Sequence, residues 1–275
     1  MLEVTVIDRL DSDELSIFRT LKQQTAHREQ GLFVAESPKV IDRLLDTTLT
    51  VVSLLATPQW LSTYEERLKQ RPEKVIVFVA EKPLLETLVG FPLFQGLLAC
   101  AKIPVSLPLE LILAKAEKSG PALLVALDGV TNPENLGVIV RVCVGLRVHG
   151  LILGETSASP YLRRSVRNSM GNIFHCNITE TKNLAETISM LKERGVQCLA
   201  ADLAPNSIPV TQCDLKSSTC LVFGHEGRGV SKPILEACGQ SVVIPMPNKM
   251  DSLNVGSAAS ILLYEACRQR GLFNV

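Results

Sequence analysis

The sequence predicts an α/β protein whose C-terminal half carries a mainly parallel sheet. Three observations lead there. The second half holds five short, near-continuous apolar runs: "ALLVAL" (122–127), "GLILG" (150–154), "VQCLAAD" (196–202), "TCLVFG" (219–224) and "SVVIP" (241–245). Strands buried on both faces read this way, whereas half-exposed strands alternate. Helical stretches fall between the runs, at about 136–147, 160–170, 183–194 and 231–238, and such alternation places helices over both faces of the sheet. Finally, 275 residues with 46% hydrophobic content suffice for one large domain or two modest ones with proper cores.

The first half shows the same alternation on a smaller scale. A helix is expected around 12–24, then the strand "GLFVA" (31–35) and the helix "SPKVIDRLLD" (37–46), with Ser37 as its cap and Pro38 at its first position. Strands follow at 50–55, 74–79 and 95–101, with helices at 58–70 and 81–88. The resulting division is a small α/β domain over 1–102, a linker over 103–120 that carries a short helix and a turn, and a second domain over 121–275.

The totals exclude several classes. The apolar runs are far too short to span a bilayer, and the N-terminus lacks the basic and apolar regions of a secretory signal. Eight cysteines form no Cys-x-x-Cys pair and four histidines are dispersed, so no metal site is expected. Cysteines inside apolar runs suit a reducing cytoplasm. With 28 basic and 28 acidic residues the net charge is zero, so an RNA-binding surface must be a local patch. The candidate is "YLRRSVRNSMG" (161–171), where Arg163 and Arg167 share a helix face beside Arg164. A solvated helix face would read the same way.

Three loops enter helices after strands of the second half, the place where ligands gather in open α/β sheets. In "LDGVTNPENLGVIVRV" (127–142) the helix is expected to start near Asn135 as cap, with Gly137 permitting close approach. Arg141 then lies in an apolar helix and needs a partner or ligand, unless its stem packs while its head reaches solvent. In "FGHEGRGVSKPILEAC" (223–238), Glu226 stands among three glycines without any phosphate-loop pattern. A carboxylate there favours a cation, a ribose hydroxyl or an Arg; a surface turn is the plain alternative. The third loop and its helix read "IPMPNKMDSLNVGSAAS" (244–260). Ile244, Met246 and Leu253 offer apolar surface, Ser252 and Asn254 polar groups, as in a small-molecule pocket. A helix beginning at Ser252 would carry Gly256, Ser257, Ala258, Ala259 and Ser260 in succession. Glycine costs about 1 kcal/mol against alanine in a helix interior, so something must approach this backbone closely.

Together and in this order, the three loops resemble the signature motifs of the SpoU (TrmH-type) family of SPOUT RNA methyltransferases. The first motif matches at Asn132-Pro133, Asn135, Gly137 and Arg141, the second at "LVFGHEGRGVS" around Glu226 and Gly229, the third at "IPM" and "SLNVGSAAS". "RRSVRNSMGNIF" (163–174) resembles the family's segment between the first two motifs. "REQGLFVAESPKVIDRLL" (28–45) is similar to the N-terminal substrate-binding domain of many members, which resembles some RNA-binding ribosomal proteins. The family's usual Glu-Gly there reads Glu36-Ser37.

The resemblance implies a deep C-terminal trefoil knot that holds S-adenosylmethionine, a last helix at a homodimer interface, and methyl transfer to a ribose 2′-hydroxyl. Small residues at 256–260 would then serve packing of the knot, the cofactor and the partner subunit. Carried over by motif, Arg141, Asn135, Glu226, Ser252 and Asn254 form the catalytic site, and Gly224, Ile244, Met246 and Leu253 contact the cofactor. Arg28, Arg163, Arg164 and Arg167 are the expected RNA contacts. Since a guanidinium is always protonated, Arg141 is expected to stabilise a developing alkoxide or hold a phosphate rather than act as a base. The N-terminal domain favours large-subunit ribosomal RNA as substrate. Transfer RNA is one alternative, and a non-catalytic RNA-binding relative another.

Overall fold

A computed structural model describes residues 1–93, 95–204, 206–247 and 252–273, without the side chains of Gln24 and Thr25. Contacts divide the chain into two units that interleave in sequence: Met1–Val105 with Pro160–Phe174, and Ser106–Ser159 with His175–Val275. The elements of the first stretch are β1 (Leu2–Val6), α1 (Ser16–Arg19), α2 (Gln24–Glu29), β2 (Leu32–Glu36), α3 (Pro38–Leu45), β3 (Val51–Ala56), α4 (Pro58–Lys69), β4 (Val75–Val79), α5 (Lys82–Val89) and β5 (Leu97–Lys102). Next come α6 (Leu109–Glu117), β6 (Leu123–Asp128), α7 (Pro133–Gly145) and β7 (Gly150–Leu153). Then α8 (Arg163–Asn168) returns to the first unit. The second unit resumes with β8 (Ile178–Glu180), α9 (Leu184–Glu193), β9 (Gln197–Ala201), β10 (Ile208–Pro209), β11 (Thr219–Gly224), α10 (Lys232–Cys238), β12 (Ser241–Val243) and α11 (Val255–Gln269).

In the first unit the strand order is β1-β4-β3-β5-β2. β1, β4 and β3 run parallel, and β5 is antiparallel to both its neighbours. The helix expected over 12–24 is broken into a 3-10 turn at Asp13–Leu15, the four residues of α1, and α2. Leu15, Phe18 and Leu21 are all buried, and a spacing of three suits tighter turns than an α-helix. Ser37 does not cap α3: its side chain makes no capping bond and its backbone sits at φ 87°, ψ 145°. Glycine alone adopts that region readily, so a serine there costs about 1–3 kcal/mol.

α8 belongs with this unit, although its sequence position suggests the second domain. Val166 is fully buried, and α8 packs on β2. Aromatic contacts fix its flanks, with Phe33 5.4 Å from Tyr161 and 5.7 Å from Phe174 between ring centres.

The second unit is built on a seven-stranded sheet of order β10-β12-β9-β11-β6-β7-β8, parallel at every pairing. α6, α9 and α10 bury Ile112, Leu113, Ile188, Leu191 and Ile234 with Leu124, Ala126, Cys198, Ala200, Cys220 and Val222 in one core. α6 is the short helix expected within the 103–120 segment, and it is a core element rather than part of a linker. A Cβ on Gly150 would lie 2.5 Å from Ile112 Cγ2, so this helix sits tightly on the sheet. α7 and α11 pack on each other and α11 on β11.

Two helix starts differ from expectation. α7 is capped by Asn132, whose side chain accepts the Glu134 N–H at 2.8 Å, with Pro133 at the first position. Asn135 is therefore a helical residue with its amide free for other work. α11 begins at Val255 behind Asn254, which accepts the Gly256 N–H at 2.9 Å. Gly256 answers the close-approach argument directly: a Cβ there would stand 2.8 Å from Val138 Cγ1 of α7. Past the other end of α11, the Arg270 guanidinium donates to the carbonyls of Leu215 (2.8 Å), Pro121 (2.7 Å), Ala122 (3.1 Å) and Ser217 (2.6 Å).

Candidate active site

The C-terminal ends of β9, β11 and β12, with the loops after them, enclose a cavity of about 670 Å³. That is the size of a small-molecule site. Phe223, Val242, Ile244, Met246, Leu253 and Leu262 supply apolar wall; Asn132, Asn135, Asp202, Glu226, Arg228, Ser252 and Asn254 supply polar groups. Gly224 admits no side chain, because a Cβ would fall 2.2 Å from the Gly229 carbonyl carbon and the Val230 nitrogen. The loop from His225 to Gly229 folds back on itself through two backbone bonds of 3.0 and 2.8 Å. Within it the Gly227 N–H donates to His225 Nδ1 at 2.9 Å, which leaves the proton of a neutral His225 ring on Nε2.

Glu226 organises the rim. Its Oε1 accepts the Asn132 N–H at 3.1 Å and the Asn135 amide at 2.9 Å, while Oε2 takes the weaker Thr131 contacts at 3.4 and 3.5 Å. Asn135 Oδ1 in turn accepts from Asn254 Nδ2 at 2.9 Å. Burial pushes the Glu226 carboxyl up, but the Asn135 amide and the surrounding backbone N–H groups outweigh it and hold its pKa below the usual carboxylate range. Glu226 is thus ionised at neutral pH and serves as a fixed acceptor, unsuited to taking a proton from an alcohol.

Eight sequence-predicted residues therefore line one cavity: Asn135, Gly224, Glu226, Ile244, Met246, Ser252, Leu253 and Asn254. Arg141 does not line it. Six residues beyond Asn135, it is turned roughly 240° around α7, and it is exposed with no hydrogen bond or ion pair among the described residues. On the same helix Val138 is 40% exposed, and on α11 Tyr264 is 54% exposed and stacks on Phe273 at 4.9 Å.

The four arginines expected to meet RNA all belong to the first unit, and they differ in kind. Arg163 is turned inward, only 18% exposed, paired with Glu36 and lying 5.0 Å over the Phe91 ring. That burial makes it a structural residue rather than a surface contact. Arg164 and Arg28 are exposed, and Arg167 is half-exposed with Glu36 3.9 Å away. Sequence reasoning also passed over two charged cavity residues, Asp202 and Arg228. The signal for Asp202 was present: a single carboxylate closing the apolar run "VQCLAAD".

A parallel sheet with this cavity at its strand ends and an Asn–Glu–Asn network at the rim is the arrangement expected of the SPOUT-type methyltransferases that the sequence resembles. The SpoU rRNA Methylase family model matches residues 122–264, and the chain belongs to that family. It is 30% identical over 221 residues to the 23S rRNA (guanosine-2′-O-)-methyltransferase RlmB of Acinetobacter baylyi, covering 76% of this chain and 89% of that protein. The AdoMet-bound rRNA methyltransferase from Sinorhizobium meliloti superposes with a TM-score of 0.81 at 26% identity, over 96% of this chain and 98% of the other. The SpoU methyltransferase AviRb of Streptomyces viridochromogenes, in complex with the cofactor AdoMet, gives 0.80 at 25% identity over 95% and 100%. No helix among the described residues is long and apolar enough to cross a membrane.

Proposed function

We propose that the protein transfers the methyl group of S-adenosylmethionine to a ribose 2′-hydroxyl of large-subunit ribosomal RNA. The observation that carries this reading is the Asn135–Glu226–Asn254 network beside the 670 Å³ cavity. The residues fit the cofactor: apolar wall suits an adenine ring, and the polar groups fix its orientation. When bound, S-adenosylmethionine supplies an electrophilic methyl on a sulfonium, so the protein's task is positioning and charge stabilisation.

This chain's residues divide that task. Ionised Glu226 and Asn254 lock the Asn135 amide in one orientation, and Ser252 and Asn254 at the rim orient the substrate ribose. Arg141, permanently charged, lies outside this protomer's cavity, so its stabilisation of the developing alkoxide, or its hold on the adjacent phosphate, is exerted on the partner's site in the proposed homodimer. Arg28, Arg164 and Arg167 on the first unit meet the RNA backbone, with Arg163 holding α8, which carries Arg164 and Arg167, in place. The deep knot is supported by α11, whose far end is tied by Arg270 to Leu215 and Ser217 in the connection between β9 and β11. A homodimer is supported by the exposed apolar side chains Val138, Ile261, Tyr264, Leu272 and Phe273 on and after α7 and α11. A cytoplasmic setting is supported by eight free cysteines, seven of them buried.

The test is tritium transfer from labelled S-adenosylmethionine into RNA from cells lacking this protein, with ribosomal and transfer RNA separated afterwards. Label in alkali-resistant dinucleotides of the large-subunit fraction is the expected result. Label confined to transfer RNA would move the substrate, and no label in any fraction from a cofactor-binding protein would favour a non-catalytic RNA-binding role.

A further inference from the structure

We propose that Asp202 is a specificity-determining residue of the cavity, whose free carboxylate oxygen accepts hydrogen bonds from the vicinal hydroxyls of the cofactor's ribose. This role presupposes that the cavity holds S-adenosylmethionine, as proposed above.

Asp202 follows the last residue of β9 and lines the cavity. Its backbone is pinned by an N–H bond to the Val242 carbonyl at 3.2 Å. Oδ1 accepts the Ala204 N–H at 2.9 Å, which fixes the carboxylate in place. Oδ2 points towards Gly229, 3.4 Å from where a Cβ would stand on that residue, and has no hydrogen bond among the described residues.

The network groups of the cavity are already engaged. Both oxygens of Glu226 take donors from Thr131, Asn132 and Asn135. The Asn135 and Asn254 amides bond each other, and Asn254 Oδ1 caps α11. Asp202 Oδ2 is thus the cavity carboxylate oxygen that accepts no hydrogen bond among the described residues. A carboxylate only accepts, so its ligand must present donors.

Three parts of S-adenosylmethionine do so: the ribose diol, the ammonium and the adenine amino group. Loss of affinity on removing a ribose hydroxyl is what separates the diol from the other two. Position favours the diol. Sheet order places β9 on the far side of β11 from β6, while the network residues Asn132 and Asn135 follow β6. The transferred methyl belongs at the network, so Asp202 faces the other portion of the ligand. Its neighbours along β9 and β12 are Ala201 and Val242, apolar surface of the kind a nucleoside base packs against. An acidic residue at a strand end receiving ribose hydroxyls is sound chemistry, familiar from dinucleotide sites.

The test is calorimetric binding of S-adenosylhomocysteine to the full chain, which needs no turnover, beside its 2′-deoxy, 3′-deoxy and desamino analogues. Wild type is expected to lose about 10-fold or more in affinity on removal of a ribose hydroxyl, the range of a hydrogen bond to a charged group. Asp202→Asn, which keeps the Ala204 bond, and Asp202→Ala should both bind S-adenosylhomocysteine about 10-fold more weakly and no longer distinguish the deoxy analogues. Equal wild-type affinity for S-adenosylhomocysteine and both deoxy analogues would overturn the role, and that comparison needs no variant to fold. Discrimination against the desamino analogue that vanishes in Asp202→Ala, with hydroxyl discrimination intact, would reassign the carboxylate to the ammonium and overturn it too. Failure of wild type to bind S-adenosylhomocysteine would remove the cavity's assignment and this role together; tight binding without hydroxyl discrimination removes only the latter.

Discussion

Asn135 stands between Glu226 and Asn254, donating to the first and accepting from the second at 2.9 Å each, across 91 and 119 residues of sequence. One amide thereby joins the helix after β6, the loop after β11 and the cap of α11. Asn135→Ala leaves Glu226 Oε1 with a single donor and the Asn254 amide without its acceptor. Methyl transfer is expected to fall on the order of 100-fold through lost positioning, with S-adenosylhomocysteine affinity changing less than about 10-fold. Single-turnover tritium transfer and calorimetry on the same preparation check this. An equal loss in both measurements would assign Asn135 to cofactor binding instead.

The same network carries a pH signature. The folded-state pKa of Glu226 is depressed, because the amide and backbone donors outweigh its burial. Its contribution to stability is therefore present above the unfolded value of about 4.3, and is lost as pH falls through the folded one. Glu226→Gln, which cannot be ionised, should melt below wild type at pH 7, and the gap should close below about pH 4. Melting temperatures of both proteins across that range decide it, and a gap unchanged by pH would show that charge is not what the network needs.

Within the first unit, neighbouring arginines should behave oppositely. Arg163→Ala removes a mostly buried ion pair with Glu36 and the contact over Phe91, and is expected to cost about 2 kcal/mol of stability. Arg164→Ala should stay within about 0.5 kcal/mol of wild type. It should instead weaken RNA binding and lower the salt slope by about one unit. Urea denaturation and filter binding across a salt series separate the two. A destabilised Arg164→Ala with unaltered RNA binding would remove that residue from the interface.

Legibility in the sequence followed the physics of each element. β6, β7, β9, β11 and β12 were readable because strands buried on both faces must be continuously apolar. β8 and β10 were not, because Ile178-Thr179-Glu180 and Ile208-Pro209 form no continuous apolar run. The expected start of α7, at Asn135, falls three residues late, and Asn132 is an equally good cap. Pro133 decides it, since proline belongs at the first helical position. Spacing correctly put Arg163 and Arg167 within one helix, but spacing cannot say which way a face turns. Glu36, 127 residues from Arg163, sets that. The separation of Arg141 from the cavity was implicit in its six-residue offset from Asn135, which places the two on different faces of α7. Membership of 160–174 in the first unit had no local signal, because Phe33 and β2 attract it only in three dimensions.

Gly256 tests why the last helix is built from small residues. By propensity alone, alanine there should stabilise α11 by about 1 kcal/mol. Its Cβ, however, would stand 2.8 Å from Val138 Cγ1 and 3.2 Å from Asn254 Oδ1, so α7 and α11 must part or Val138 must turn. Gly256→Ala is expected to destabilise by about 1 kcal/mol net and to reduce methyl transfer, because Asn254 and Asn135 ride on the two helices that separate. Val138→Ala makes room for the new methyl, so the double variant should be more stable than the sum of the single changes by about 1 kcal/mol. Denaturation midpoints of the four proteins give the coupling. Strict additivity would mean that contact with α7 is not what keeps position 256 small.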